Sequence, residues 1–369
     1  MHIGVPKESA PGEQRVALVP AAVSSFVKMG LDVVIQRGAG LEARISDQAY
    51  EEAGARIGDA NSVFETSDLV LKVQKPSAEE ANRLKSGSAL VSLLHPATNG
   101  ALLEQLGHRG VTAFAMELVP RTTKAQSMDV LSSQATVAGY QAVLLGASHL
   151  SRFLPMLTTA AGTIPPGKAF VIGAGVAGLQ AIATARRLGA VVSAFDVRPV
   201  VKEQVQSLGA RFVEVEAVAA EAAGGYAKEL DADQQDRANR AIAEHIRDMD
   251  LVITTAQIPG RPSPKIITEA MVASMRPGSV IVDVAAEGGG NCVLTRPGET
   301  ATVHGVTILG PLNLASMVSY HASQMYSKNI QTFIEYVVKD GVLTVDLDDP
   351  IIGPMCVTHN GRVRLGEGS

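Results

Sequence analysis

Eight residues limit what this chain can fold into more than any others: Val171-Ile172-Gly173-Ala174-Gly175-Val176-Ala177-Gly178. A β-branched apolar run stops at a glycine, and a helical pattern opens within the same segment. That reads as strand, tight turn and helix, the start of a βαβ unit. In such a turn the first glycine allows the sharp reversal, the second lets the backbone approach a ligand, and the third lets helix and strand pack closely. The next apolar strand ends at Asp196, at about the distance of 20 residues that a dinucleotide fold requires. A carboxylate there can accept both hydroxyls of an adenosine ribose and would repel a 2′-phosphate. The pattern predicts NAD(H) rather than NADP(H), with the pyrophosphate on the helix N-terminus. Gly173, Ala174, Gly175, Val176, Ala177, Gly178, Asp196, Val197 and Arg198 are the expected contacts. Arg198 is open to two readings: tolerance of a 2′-phosphate, or a solvated surface charge.

A length of 369 residues suggests two domains. Hydrophobic content of 46% against 19% charged marks a globular chain, and 4% aromatics without Trp means cores of aliphatic side chains. The net charge of −5, with no Lys/Arg stripe, gives no basis for nucleic-acid binding. Cys292 and Cys356 are too few and too far apart for a disulfide framework or a metal site, which points to a reducing cytosol. The first residues lack the regions of a signal peptide. Val130 to Leu150 holds no Asp, Glu, Lys or Arg, yet Ser132, Ser133, Gln134, Thr136, Tyr140 and Gln141 make it too polar for lipid. It is expected to be a long buried helix, with no direct membrane insertion.

Short apolar runs alternate with helical patterns over the first third. His2–Val5, Asp32–Ile35, Leu69–Val73, Leu90–Leu94 and Thr112–Met116 read as strands, Pro20–Met29 and Ala101–His108 as helices. Alternating βα units imply parallel sheets. After the connector helix Ser133–His149 and a loop over Leu154–Gly167, a second series runs from Ala169 to Leu309. Ser316–Val338 has helical spacing, and Val342–Leu365 alternates like a hairpin. Residues 216–238 fit neither strand nor tight helix. The expected fold is α/β: two Rossmann-like domains with parallel sheets, joined by long helices. The first holds residues 1–130 with 316–369, the second 131–315.

A polar run, Arg121 to Ser132, precedes the connector. Asp129 and Ser132 are three apart and share a helix face. With Arg121 and Gln126 they offer donors and acceptors suited to a carboxamide and a ribose. They equally suit an N-capping turn, with Asp129 or Ser127 as the cap.

The segment Gln126-Ser127-Met128-Asp129-Val130-Leu131-Ser132-Ser133-Gln134, followed by Ala138-Gly139-Tyr140, resembles the loop that marks the NAD(H)-binding component of proton-translocating nicotinamide nucleotide (NAD(P)⁺) transhydrogenases. Gly4-Val5-Pro6-Lys7-Glu8, Arg15-Val16-Ala17, Gly38-Ala39-Gly40, Gly224-Gly225-Tyr226, Ile258-Pro259-Gly260 and Gly288-Gly289-Gly290-Asn291-Cys292 extend the likeness over nearly the whole chain. The chain resembles a separate subunit, not a fusion to membrane helices. The resemblance implies NAD(H) in a cleft between the two domains, a homodimer, and hydride transfer to NADP⁺ on a partner subunit. Membrane subunits, the NADP(H)-binding one among them, would couple this to proton movement and hold the chain at the inner face of the cell membrane. Arg121, Gln126, Asp129 and Ser132 would hold the nicotinamide end. Tyr226 on a closing loop, with Gln257, Ile258 and Pro259, would complete the cofactor contacts. Hydride passage between two nicotinamides moves no proton at the reacting carbons, so no general acid or base is required; the cofactor carries the reaction.

Alanine dehydrogenases are the alternative. Such an enzyme needs a cation for the substrate carboxylate and an acid/base group. Arg15 and His95 match that family's substrate residues. Gln74, however, stands where those enzymes have a lysine, and Glu287 where they have an aspartate. On the transhydrogenase reading His95 is a structural remnant, Arg15 pairs with a nearby acid, and Lys72 and Lys75 lie on a solvated edge or in a salt bridge. A non-catalytic NAD sensor is a third reading, though it would not need the polar run.

Overall fold

A computed structural model describes residues 1–215, 231–257 and 261–364. The chain divides into two compact units, Met1–Gln134 with Ala315–Ser369, and Ala135–Leu314.

The first unit opens β1 (His2–Val5), α1 (Pro20–Lys28), β2 (Asp32–Gln36), α2 (Asp47–Glu52), β3 (Arg56–Gly58), α3 (Ala60–Phe64), β4 (Leu69–Leu71), α4 (Ala78–Arg83), β5 (Ala89–Ser92), α5 (Gly100–His108) and β6 (Thr112–Ala115). The short helices start where local chemistry tells them to. Asp59 with Ser62, and Ser77 with Glu80, form reciprocal capping boxes, and Pro20 occupies a first-turn position. Strands β4 and β5 are buried at every residue, so they read as continuous apolar runs rather than alternating ones.

The helix α6 (Val130–His149) leads into the second unit. There follow a hairpin, β7 (Leu157–Thr159) and β8 (Gly162–Ile164), then β9 (Lys168–Ile172), α7 (Val176–Arg187), β10 (Val191–Phe195), α8 (Lys202–Ser207), β11 (Arg211–Phe212), α9 (Ala232–Ile246), β12 (Leu251–Thr254), α10 (Glu269–Ser274), β13 (Val280–Asp283), β14 (Thr300–Val303) and β15 (Val306–Leu309). The chain returns through α11 (Ser319–Val337), β16 (Val338–Lys339), β17 (Val342–Leu343), α12 (Ile352–Met355), β18 (Cys356–His359) and β19 (Arg362–Val363).

Both main sheets are doubly wound. The first runs β19-β18-β6-β5-β4-β1-β2-β3, the second β11-β10-β9-β12-β13-β15-β14. The strand order reverses between β1 and β4 in one sheet, and between β9 and β12 in the other. The carboxyl ends of those strands are where open α/β sheets bind ligands. Aliphatic cores lie on both faces of the second sheet, one built around Val171, Ile182 and Ile253, the other around Phe170, Ile242 and Ile281.

The fold is the expected α/β arrangement, with four corrections. The sheets are not purely parallel. β14 pairs antiparallel with β15 across a two-residue turn, a connection too short for a parallel crossover, and β18 pairs antiparallel with β6. The connector helix is not buried throughout, since Leu131 and Tyr140 are exposed. The loop before β9 contains the hairpin of β7 and β8. Some of the segment 216–238 is helix, because Asp231 caps α9 in a box with Gln234. Its buried residues, Ala238, Ile242 and Ile246, recur only every fourth position in an otherwise polar helix. Among the described residues, no helix is long and apolar enough to cross a membrane.

Gly139 of α6 shows what packing demands in the second unit. A β-carbon there would lie 2.1 Å from the carbonyl oxygen of Ala177, in the first turn of α7. Intrinsic propensity alone would make alanine the better helix residue by roughly 0.5–1 kcal/mol. Packing reverses the sign. Gly139→Ala is expected to destabilise the protein by about 1–3 kcal/mol, as overpacked sites do. A fall in the urea midpoint at unchanged slope would show it, and a rise would refute the packing account.

Candidate functional site

The glycine turn stands at the carboxyl end of β9. Gly173 has φ +94°, in the left-handed region. A β-carbon on it would meet the Thr255 hydroxyl at 2.6 Å, and one on Gly178 would stand 1.9 Å from the Gly173 carbonyl oxygen. The chain's own packing therefore requires the first and third glycines. Gly175 differs, because the nearest atom to its missing β-carbon is the Arg198 guanidinium at 3.9 Å. Nothing in the protein forbids a side chain there. The space it leaves opens directly before α7, whose first turn has no side-chain cap. Free amides, a positive helix end and an uncrowded backbone fit a pyrophosphate.

Asp196 follows β10, and its side chain is only 5% exposed. Its Oδ2 accepts from the Ala174 N–H at 2.7 Å, tying the acid to the turn itself. Arg198 donates three further bonds, from N–H and Nε to Oδ1 at 2.9 Å each and from Nη2 to Oδ2 at 2.8 Å. Arg198 is thus no solvated surface charge: its side chain is 15% exposed and locked to the acid. Those four bonds fill a carboxylate's acceptor sites, so a ribose diol would bind here in exchange for part of the Arg198 grip. Val197, between them, packs half-buried into the core.

Two residues that sequence reasoning gave no role hold this edge together. Thr255, just past β12, donates its hydroxyl to the Gly173 carbonyl at 3.0 Å. Asn291 accepts from the Ala256 N–H at 3.0 Å and donates to the Ala256 and Pro264 carbonyls at 2.8 Å each, as a neighbouring strand would. A lone Asn after three glycines was the available signal. Gln257 is exposed one residue beyond Ala256. Tyr226, Ile258 and Pro259 lie outside the described residues.

In the first unit, Gln126–Met128 form a single tight turn before α6. Asp129 caps that helix: Oδ1 accepts from the Ser132 N–H at 2.9 Å and Oδ2 from the Ser132 hydroxyl at 2.6 Å. Ala125 and Met128 are buried, whereas Arg121 and Gln126 are exposed. The Gln126 carboxamide has no hydrogen-bond partner among the described residues. The turn is fastened from α11, where Asn329 donates to the Ser127 carbonyl at 2.8 Å and accepts from the Ser133 hydroxyl at 2.7 Å.

A buried ionic cluster sits in the first unit, beside the point where its strand order reverses. Arg15 donates to Glu13 through Nε at 2.8 Å and Nη2 at 2.6 Å, and through Nη1 to Gln134 at 2.8 Å. Gln74 donates its amide to the same Glu13 at 2.8 Å. Burial pushes the Glu13 carboxyl up, but the Arg15 contacts outweigh it and hold the group at about 2. Lys72 is fully buried between Glu80 at 3.2 Å and Glu8 at 3.4 Å, so it is a salt bridge and not a solvated edge. Burial raises the Glu8 pKa despite Lys72. Lys75 is exposed and bonds Asn99. His95 is exposed with φ +48°, its backbone N–H held by Glu117. Glu287 accepts from the Asn313 N–H at 2.5 Å. With Gln74 neutral, Glu13 and Arg15 cancel, and their pair carries no net charge for a substrate acid.

Residues 4–138 match the family description "Alanine dehydrogenase/PNT, N-terminal domain", and residues 142–365 its C-terminal domain. The chain belongs to the alanine dehydrogenase/PNT family. Within it, the chain is 47% identical over 374 residues to the first part of NAD(P) transhydrogenase subunit alpha of Rhodospirillum rubrum, covering 98% of this chain and 97% of the relative. It is 32% identical over 371 residues to the alanine dehydrogenase of Halomonas elongata, covering 98% and 94%. The crystal structure of a transhydrogenase from Sinorhizobium meliloti superposes with a TM-score of 0.92 at 49% identity, over 99% of this chain and 100% of that one.

Two outcomes are expected of this family member. Glu13→Gln leaves Arg15 buried without its counter-charge, which costs about 3–5 kcal/mol. Glu13 is held below its ordinary 4.5, at about 2, so its contribution is complete above 4.5 and fades as pH falls towards 2. The stability gap between wild type and variant, from urea titrations at several pH values, should narrow on acidification; a constant gap refutes the pairing. Asn329→Leu, which removes both holds on the turn, should raise protease cleavage near residue 127 while the second unit melts unchanged. Unaltered cleavage would show that the turn does not depend on α11.

Proposed function

We propose that this chain is the NAD(H)-binding component of a proton-translocating transhydrogenase. It would pass hydride between its own NAD(H) and NADP(H) on a partner subunit, with membrane subunits coupling the exchange to proton movement. The proposed setting is a homodimer docked at the inner face of the cell membrane. Full-length similarity to transhydrogenase alpha subunits supports this. The structural observation that separates it from the alternative is Gln74, whose amide shares Glu13 with Arg15. A lysine there would leave one unmatched positive charge for a substrate carboxylate; glutamine leaves none.

When bound, the dihydronicotinamide supplies the hydride. The chain's residues bind and orient. The amides opening α7 receive the pyrophosphate and Asp196 the adenosine ribose. Arg121, Gln126, Asp129 and Ser132 hold the nicotinamide end. Asp129 and Ser132 already fix each other, so they offer a ribose a set of oxygens that does not rotate. The Gln126 carboxamide is left to meet the cofactor. Tyr226, Ile258 and Pro259 are assigned to the cofactor on resemblance, and Gln257 on its place beyond Ala256.

Mixing the protein with an NADP(H)-binding transhydrogenase subunit, and following reduction of an NAD⁺ analogue by NADPH, tests the reading directly. Turnover that needs both proteins is expected. Oxidation of alanine with NAD⁺ by this chain alone would establish the dehydrogenase instead. Gln126→Asn should slow hydride transfer at least tenfold more than it weakens NADH binding. Equal losses would mean that Gln126 only holds the nucleotide.

A further inference from the structure

Gln126 and Ser127 are exposed, yet the Ser127 carbonyl is the last link of a hydrogen-bond chain that starts in the buried ionic cluster. Arg15 donates through Nη1 to Gln134 Oε1 at 2.8 Å, and Gln134 Nε2 donates to the Ser133 hydroxyl oxygen at 3.2 Å. The Ser133 hydroxyl donates to Asn329 Oδ1 at 2.7 Å, and Asn329 Nδ2 donates to the Ser127 carbonyl at 2.8 Å. All five residues belong to the first unit. The direction of every link is forced from both ends. A guanidinium only donates, so Arg15 draws the Gln134 oxygen towards itself and turns the amide nitrogen away. That nitrogen also meets the Ala322 carbonyl of α11 at 3.2 Å, which fixes the amide fully. A carbonyl only accepts, so Ser127 draws the Asn329 nitrogen and leaves its oxygen facing Ser133. The Ser133 hydrogen therefore goes to Asn329 rather than to the Val130 carbonyl, which lies further off at 3.1 Å. Aligned bonds of this kind polarise one another, more strongly away from water. Gln134 and Asn329 are both buried, and the chain starts from a cation held by the buried Glu13 carboxylate.

We propose that Gln134 is a positioning residue for hydride transfer: through Ser133 and Asn329 it passes the fixed placement of the Glu13–Arg15 pair to the Ser127 carbonyl, and so sets where Gln126 stands against the nicotinamide. The proposal rests on the transhydrogenase reading and adds Gln134 and Ser133 to it. An amide is the group this place needs. Glutamate would offer no N–H to Ser133 and Ala322, lysine would offer Arg15 no acceptor, and an aliphatic side chain would offer neither. The turn transmits what it receives, because it is closed on itself. The Met128 N–H bonds the Ala125 carbonyl at 2.8 Å and the Asp129 N–H the Gln126 carbonyl at 3.3 Å. A shift at the Ser127 carbonyl therefore carries Gln126 with it. Hydride transfer tolerates little of this, since a misplacement of about 1 Å can cost roughly a hundredfold in rate. Binding draws on contacts along the whole cofactor and tolerates more.

The test uses wild type, Gln134→Met, Ser133→Ala, Gln126→Asn and the two double variants with Gln126→Asn. Three quantities are read: the single-turnover rate of hydride transfer with an NADP(H)-binding transhydrogenase subunit, the dissociation constant for NADH, and amide hydrogen exchange over residues 126–129 in the protein without nucleotide. Gln134→Met should slow transfer at least about tenfold while the NADH dissociation constant moves less than about twofold, the signature of a contact realised in the reaction and not in binding. Ser133→Ala cuts the chain beyond Gln134 and leaves the Arg15 contact intact. It should act in the same direction by about threefold or more, the scale of one lost hydrogen bond. Both should quicken exchange at the turn by a similar factor. In the Gln126→Asn background each should cost less than about twofold, because residues that act through one another are not additive. Equal costs in both backgrounds would show that Gln134 does not act through Gln126, and equal losses in rate and affinity that it only helps to hold the nucleotide; either overturns the proposal. A loss in Gln134→Met that Ser133→Ala does not share would overturn the chain as its route. If Gln134→Met does not fold, Ser133→Ala alone decides, since an unchanged rate and unchanged exchange there refute the proposal. If wild type transfers no hydride with the partner, the transhydrogenase reading fails first and takes the proposal with it.

Discussion

Gly178 lies so close to the carbonyl oxygen of Gly173 that a single added carbon would overlap it. This approach brings the first turn of α7 against the end of β9, and it fixes what surrounds them. Thr255 can then cross from β12 and bond the same carbonyl. The Ala174 N–H is turned towards Asp196, so the acid reads the turn before it reads any ligand. Asn291 extends the arrangement one strand further by holding Ala256. A glycine is thus required at 178, and the hydrogen bonds of Thr255, Asp196 and Asn291 together hold the rest of the edge.

The first unit uses the same winding for a different end. The place where its strand order reverses holds Glu8, Glu13, Arg15, Lys72 and Gln74, bonded to each other. Buried ions cost several kcal/mol each to desolvate, and pairing recovers that only with good geometry. Here the Arg15 guanidinium donates two bonds to one carboxylate and a third to Gln134 in the first turns of α6. The Tyr326 hydroxyl donates to the Lys72 carbonyl from α11. The cluster therefore ties the sheet to the first residues of α6 and to α11, which flank the turn around Gln126.

The glycine turn, Asp196 and the strand–helix alternation were all legible in the sequence, because each rests on local rules. Period, cap and turn chemistry act over a few residues. What escaped depends on contacts distant in sequence. Lys72 could be a solvated edge or a salt bridge until Glu8, 64 residues earlier, is seen beside it. Arg198 is open to a 2′-phosphate role or a solvated surface charge until its guanidinium is found bent back onto Asp196. Helix α9 was hidden by a sparse apolar stripe, and β3 by being a three-residue edge strand. Within the polar run, spacing could not choose between capping and ligand binding. The structure shows the cap without excluding the other use, since Gln126 takes no part in it.

The strand β18 pairs with β6 although some 240 residues separate them in the chain. As the protein leaves a ribosome at about 5–20 residues per second, the first unit therefore waits roughly 12–50 s with one edge of its sheet open. During that interval the second unit can emerge whole and fold on its own. Exposed strand edges invite pairing with other chains, so this topology makes the newborn first half of the molecule the period of greatest risk. The hydrophobic residues of β18 close that window only once the return segment has emerged.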